Sequence, residues 1–199
     1  MGSGACTLLV ALLLGMAGPA FGQEPASSDE PPPLSNHELL KKYVWDTLGP
    51  SGAVHATLES AFDQWRDSPG AWSQDEYGYA ERWASEYASA AIGSTAKYGV
   101  ARLMHQDPSF VRCQCEGIKP RLGHALVAPF KARTADGRWM FSPATVVGLT
   151  AENVVPAATW YPAPHGVRSG AGHVATSVLS KMAIDVLREF IPTRFTKLH

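Results

Sequence analysis

The sequence predicts an all-α fold, a compact bundle of about five to six helices built around one long central helix. Capping boxes, in which a Ser accepts from the backbone three residues on and a Glu reaches back, begin at Ser35 and Ser73. Apolar residues recur at helical spacing in the segments after each box. Long runs of alternating polar and apolar residues, which would indicate strands, are absent from the sequence.

Two amphipathic helices are predicted first. One follows Ser35 and reaches about Leu48, where Gly49-Pro50 ends it. The next runs from about Ser51 to Arg66. We expect its large apolar residues to form the buried face, as in most surface helices. These residues are Val54, Leu58, Ala61, Phe62 and Trp65.

The central helix is predicted from the second capping box to Asp107-Pro108, because the residue before a proline resists helical geometry. A break near Gly93 stays open. Small residues along one side predict the close approach of another helix. The best partners are the helices that begin near Ser142 and Ser169. The small residues are Ala84, Ala88, Ala91, Thr95 and Gly99.

The second half of the chain predicts shorter elements. A short helix is expected from Lys119 to about Phe130, and a turn at Asp136-Gly137 fits a minor hairpin near residues 131–141. Ser142-Pro143 then begins a strongly apolar helix. The last helix is expected from about Ala171 to Phe190.

The amino-terminal region predicts export. Residues 1–22 combine an apolar run with a small-residue end, the pattern of a cleaved secretory signal peptide, although no Lys or Arg precedes the run. An uncleaved membrane anchor is the alternative. Residues 23–35 are rich in Pro and Ser and predict a flexible tether, and residues 36–199 predict a single helical domain. The formal net charge of -1 argues against a dedicated nucleic-acid binder, because the chain has no strong basic field to attract phosphates.

The apolar late helices leave two arrangements open. Both approach spanning length, but Glu152 lies in one and Lys181 and Asp185 lie in the other. A charge at the bilayer centre costs at least ~2.5 kcal/mol. The helices therefore form either a bundle in water with a few buried ion pairs, or a membrane-associated set whose charges face one another.

Few residues suggest chemistry. Arg121 and His124 lie near one face of a short helix, where His124 is a candidate base and Arg121 a candidate anion ligand. Glu152 must be paired or protonated in its apolar helix, and it completes this weak catalytic set. Cys113 and Cys115, bridged or free, form with His105 a weak metal or thiol-redox set. No cofactor is predicted.

Several segments are similar to an uncharacterised family of short exported bacterial proteins. They are His105–Phe110 (HQDPSF), Arg121–Leu126 (RLGHAL), Trp160–Pro162 (WYP) and Leu187–Pro192 (LREFIP). Members look helical and carry a signal peptide, and the family has no known activity. The chain departs from its pattern at His124, where an aromatic residue is usual, and in Cys113-Gln114-Cys115.

These observations favour an exported protein of the periplasm or cell envelope, membrane-associated and without enzymatic activity, whose partner is a membrane or an envelope protein. Two alternatives stay open. One is a hydrolase of lipid or cell-wall material that uses Arg121, His124 and Glu152. The other is the metal or thiol-redox module on Cys113 and Cys115.

Overall fold

The computed structural model describes residues 31–162 and 167–191. The predicted signal peptide, residues 1–22, and most of the predicted tether lie outside these residues. Six α-helices and one small three-stranded sheet form within them. The predicted fold, mostly helical with a hairpin near residues 131–141, is confirmed.

The elements follow one another in a simple order. The helices are α1 (Asn36–Leu48), α2 (Pro50–Trp65), α3 (Glu76–Leu103), α4 (Ile118–Val127), α5 (Pro143–Thr159) and α6 (Val167–Phe190). A 3-10 turn, Ala128–Phe130, follows α4. The strands are β1 (Gln106–Asp107), β2 (Lys131–Thr134) and β3 (Trp139–Phe141), in the order β1-β2-β3 and antiparallel throughout.

The described chain divides into two compact units. The helical unit contains Leu34–Met104 and Ala144–Ala175, and therefore α1, α2, α3, α5 and the first part of α6. The sheet unit contains His105–Pro143 and the part of α6 that begins at Thr176.

Polar caps fix the starts of the early helices. At α1, Glu38 N–H donates to the Ser35 hydroxyl and Ser35 N–H donates to the Glu38 carboxylate, which is the predicted capping box. The predicted box at Ser73 is wrong. Asp75 caps α3 instead, and its carboxylate accepts from Gly78 N–H at 3.0 Å. A carboxylate there also favours the positive end of the helix dipole.

The central helix is continuous through Gly93 but ends earlier than predicted. It stops at Leu103, and His105 has a positive φ of 51°. Gln106 and Asp107 then pair with β2, so strand pairing takes these residues instead of a last helical turn. Asp107 lies opposite Arg133, and their buried side chains form an ion pair at 3.1 Å.

Helix α2 buries the side opposite to the predicted one. Its buried residues are Gly52, Ala56 and Ser60, each four positions from the next. Leu58 is 66% exposed and Trp65 is 78% exposed. The small side allows close packing on α1 and α3, with which α2 is in contact. Helix α1 also leaves large apolar side chains on the surface: Leu39 is buried, while Leu40, Val44 and Leu48 are exposed.

The predicted small-residue stripe on α3 is also displaced. Ala84 and Thr95 are exposed, and a Cβ added at Gly99 would meet no atom within 4 Å. The buried side of α3 contains polar as well as small residues, which a search for small apolar residues overlooks. Its members are Gly78, Arg82, Ser85, Ser89, Gly93 and Ala101.

The connection between α2 and α3 is organised by one buried cation. Arg82 is 1% exposed, and its guanidinium donates to the side chain of Gln64 at 2.7 Å. It also donates to backbone carbonyls of the connecting segment, which belong to Ser68, Pro69, Trp72 and Ser73. These bonds satisfy the charge that burial desolvates.

Buried carboxylates in the sheet unit are likewise paired. Asp185 is 1% exposed and accepts from Lys181 at 2.8 Å and from Arg188 at 3.4 Å. No helix in the described ranges is long and apolar enough to cross a bilayer.

The close approach of α3 and α5 can be tested with two glycines of the same helix. A Cβ at Gly93 would lie 2.6 Å from Cβ of Glu152 and 3.0 Å from the carbonyl oxygen of Gly148, whereas Gly99 faces open space. We expect Gly93→Ala to lower the free energy of unfolding by ~1–3 kcal/mol through overpacking.

Gly99→Ala is the matched control, and we expect it to raise the free energy of unfolding by up to ~1 kcal/mol, the helix-propensity gain. Urea denaturation of both variants measures these changes. Changes of the same sign and size in the two variants would contradict the close approach.

Candidate functional site

The candidate site lies where α3 and α5 pack in the helical unit. The two helices run antiparallel, because Lys97 faces Gly148 while Gly93 faces Glu152. Further along the same contact, Trp160 Nε1–H donates to the hydroxyl of Ser85 at 2.8 Å. Glycine on each helix brings the two backbones together, so that Cβ of Glu152 lies against Gly93 and Cβ of Lys97 lies against Gly148.

Glu86 is the first buried carboxyl of the site. The Tyr161 hydroxyl donates to its Oε1 at 2.9 Å, and Trp72 stacks on the Tyr161 ring with centroids 5.5 Å apart. Burial raises the pKa of Glu86 to about 7, and the hydrogen bond from Tyr161 opposes this rise only in part. The same desolvation raises the pKa of Tyr161, so its hydroxyl keeps its proton and remains a donor.

Glu152 is the second buried carboxyl. Burial again raises its pKa to about 7, and the negative charges of Glu86 and Glu59 add to the rise. Lys97 lowers the pKa of Glu152, but by less than these other effects. The sequence predicts that a carboxylate in this apolar helix is paired or protonated, and the raised pKa of Glu152 favours the protonated form.

A third carboxyl extends the cluster onto α2. Burial raises the pKa of Asp63, and the charge of Glu59 adds to this rise. Arg66, Arg82 and His173 act in the opposite direction. We call Asp63, Glu86 and Glu152 the carboxyl cluster. Glu86 and Glu152, whose pKa values are about 7, can hold protons near neutral pH, which ordinary carboxyl groups cannot do.

Arg121 is engaged by a carboxylate of the protein itself. Its Nε donates to Oε1 of Glu189 at 2.9 Å, and its guanidinium lies 4.8 Å from the centre of the Phe190 ring. Glu189 is fully buried, at 0% exposure. The predicted anion ligand of the sheet unit is therefore the counterion of a buried carboxylate of α6.

His124 lies among aromatic side chains of the sheet unit. A ring nitrogen, Nε2, is 2.9 Å from the carbonyl oxygen of Val111. Phe110 and Trp139 flank the ring, each with a centroid distance of 6.3 Å. The contacts of Arg121 and His124 thus connect them to the sheet unit, whereas Glu152 contacts the helical unit. The hydrolase hypothesis on these three residues stays a prediction.

The two cysteines of the predicted metal or thiol-redox set are covalently joined. Cys113 and Cys115 form a disulfide. His105 occupies the bend after α3. In the part of the chain that the structure describes, no three His, Cys, Asp or Glu side chains are arranged to hold a metal ion.

Sequence reasoning missed Glu86 and the role of Glu189. Glu86 precedes Gly93 by seven positions and therefore shares its side of α3, which is a local signal. Glu189 follows Arg121 by 68 positions, so no local spacing connects them.

Comparisons of the chain with protein-family models, with curated proteins and with solved structures find no match.

The carboxyl cluster predicts a stability that falls as pH rises. Each raised pKa means that the folded state binds a proton more tightly than the unfolded state, so stability is greatest below the unfolded pKa. It is lost as pH rises from about 4.5 to about 7. Since one pKa unit corresponds to ~1.4 kcal/mol, the loss reaches ~3 kcal/mol for each of Glu86 and Glu152.

We expect Glu152→Gln to weaken the dependence of stability on pH, because the amide cannot ionise. Melting temperatures from about pH 5 to about pH 8 measure this dependence. Glu81→Gln is the control, because Glu81 is exposed on helix α3. This variant should keep the wild-type dependence of melting temperature on pH. A wild-type melting temperature that rises over this range would refute the raised pKa values.

Proposed function

We propose that this chain is an exported helical protein of the bacterial cell envelope, without hydrolase activity, that attaches to a membrane surface through the outer side of α1 and α2. The signal-peptide pattern of residues 1–22 and the resemblance to short exported proteins support export. The outward apolar side chains of α2 carry the proposal of membrane attachment, because water is a poor environment for them.

The outer side of α2 forms one apolar stripe. Val54, Leu58 and Phe62 are spaced by four positions, so they share a side of the helix. The Phe62 and Trp65 rings are in contact, with centroids 5.8 Å apart. The exposed fractions of these four side chains lie between 48% for Phe62 and 78% for Trp65. An amphipathic helix with such a stripe can lie in the interface plane of a bilayer.

Helix α1 adds an apolar groove with a basic rim. The groove has a volume of about 340 Å³. Lys41 and His37 lie beside its apolar lining, and a lysine at that position can meet an anionic lipid headgroup while its stem packs on apolar groups. The apolar lining is formed by Leu40, Val44, Trp45 and Leu48.

The contacts of Arg121 and His124 support the proposed lack of hydrolase activity. Arg121 pairs with the buried Glu189, and His124 packs against Phe110 and Trp139. These contacts account for both residues structurally, without a substrate.

Vesicle flotation tests membrane attachment. The chain from Gln23 onward is mixed with vesicles of phosphatidylcholine and phosphatidylglycerol, and we expect it to float with them. The double variant Leu58→Gln, Phe62→Gln should bind at least tenfold more weakly. Full burial of each side chain is worth ~1.5–3 kcal/mol, and each is about half exposed in the folded protein, so the pair has about 1.5–3 kcal/mol still to gain in the membrane.

Leu179→Gln is the matched control, because Leu179 is a helical leucine with 67% exposure against 66% for Leu58. It should bind vesicles as the wild type does. Equal binding by the double variant, or an equal loss in the control, would refute attachment through α2.

A further inference from the structure

The loop between β1 and α4 carries a disulfide that does little for the fold. Cys113 and Cys115 are two positions apart, and their bond encloses only Gln114. A disulfide stabilises a fold mainly by restricting long loops of the unfolded chain, and this bond restricts almost none. Stability therefore does not account for the bond.

Solvent reaches this disulfide. Gln114 is exposed, and Cys113 and Cys115 are both partly exposed. Disulfides that are accessible, or that close tight rings, are the ones that react by thiol exchange. The two-residue spacing makes this ring tight by sequence alone.

The loop is held in place without the disulfide. Cys113 N–H donates to Oε2 of Glu189 at 3.1 Å, and Arg121 holds the other oxygen of the same carboxylate. Arg112 donates to the carbonyl of Ile191. These contacts fix the cysteine pair on the end of α6, so breaking the sulfur–sulfur bond leaves the loop anchored.

The two sulfur atoms are not equivalent. Cys115 N–H donates to Sγ of Cys113 at 3.2 Å. A hydrogen bond of this kind favours a negative charge on the acceptor, so Cys113 is the better leaving thiolate. An incoming thiolate should therefore attack Sγ of Cys115.

We propose that Cys113 and Cys115 form a thiol–disulfide exchange site that oxidises dithiols of partner polypeptides. A substrate thiolate attacks Sγ of Cys115, the sulfur–sulfur bond breaks, and its electron pair passes to Sγ of Cys113, which takes a proton. The second substrate thiolate then attacks the substrate sulfur of the mixed disulfide and releases Cys115 as a thiolate, which is protonated.

The exchange is balanced. The substrate loses two electrons and two protons in becoming a disulfide, and the cysteine pair gains them as two thiols. A small-molecule disulfide such as oxidised glutathione regenerates the pair by the same two displacements in reverse. The site is independent of the proposed membrane attachment, which uses α1 and α2.

Dithiothreitol is the probe for the first test. The purified protein is mixed with it under pseudo-first-order conditions, and the pair is followed by acid quench and alkylation. We expect the protein disulfide to react at least tenfold faster than equimolar oxidised glutathione, a linear disulfide. A rate equal to or below that of oxidised glutathione would overturn the proposal.

Two further readouts separate exchange from a structural role. Cys113→Ala, Cys115→Ala should abolish the oxidation of dithiothreitol while leaving the melting temperature unchanged, since the Glu189 anchor remains. A variant that unfolds or melts at a markedly lower temperature would show that the bond is structural, and would overturn the proposal.

The attacked sulfur can be identified with reduced glutathione. After acid quench, peptide mass spectrometry of the wild type should find the glutathione adduct on Cys115. An adduct mainly on Cys113 would overturn the assignment of Cys113 as the leaving sulfur.

Discussion

The close approach of α3 and α5 at Gly93 and Gly148 is the constraint on which the helical unit depends. A Cβ at Gly148 would lie 2.8 Å from Cβ of Lys97 and 3.0 Å from the carbonyl oxygen of Gly93, so neither glycine has room for a side chain. Overpacking at such a contact displaces backbone atoms, not only side-chain ends. The register of the two helices, and with it the burial of Glu86 and Glu152, follows from these two positions.

Close packing through small residues also determines which side chains remain on the surface. Because α2 buries Gly52, Ala56 and Ser60, its large apolar side chains are left on the surface. Charged and polar groups meanwhile occupy the interior, where each requires a partner or a proton. Arg82 finds carbonyl groups, and Glu86 finds the Tyr161 hydroxyl. A helix with a small inner side and large apolar side chains on its outer side is consistent with the proposed attachment of α2 to lipid.

The sequence predicts where elements begin and end better than which side they bury. The cap at Ser35 and the turn at Asp136-Gly137 act over a few residues, so α1 and the hairpin could be located in advance. The buried side of α2 could not, because the usual preference for large apolar residues inside gives the wrong face there. Glu189 is a further case, since its partner Arg121 is distant in the sequence and only the fold brings them together.

The central claim is that the large apolar side chains of α2 face outward in water and become covered by a membrane. Hydroxyl-radical footprinting with mass spectrometry measures this directly at Leu58, Phe62 and Trp65. We predict strong oxidation of these residues in buffer and protection when phosphatidylcholine–phosphatidylglycerol vesicles are added, with Leu179 oxidised equally in both. Protection of the α2 residues already in buffer, or equal oxidation with and without vesicles, would contradict the account.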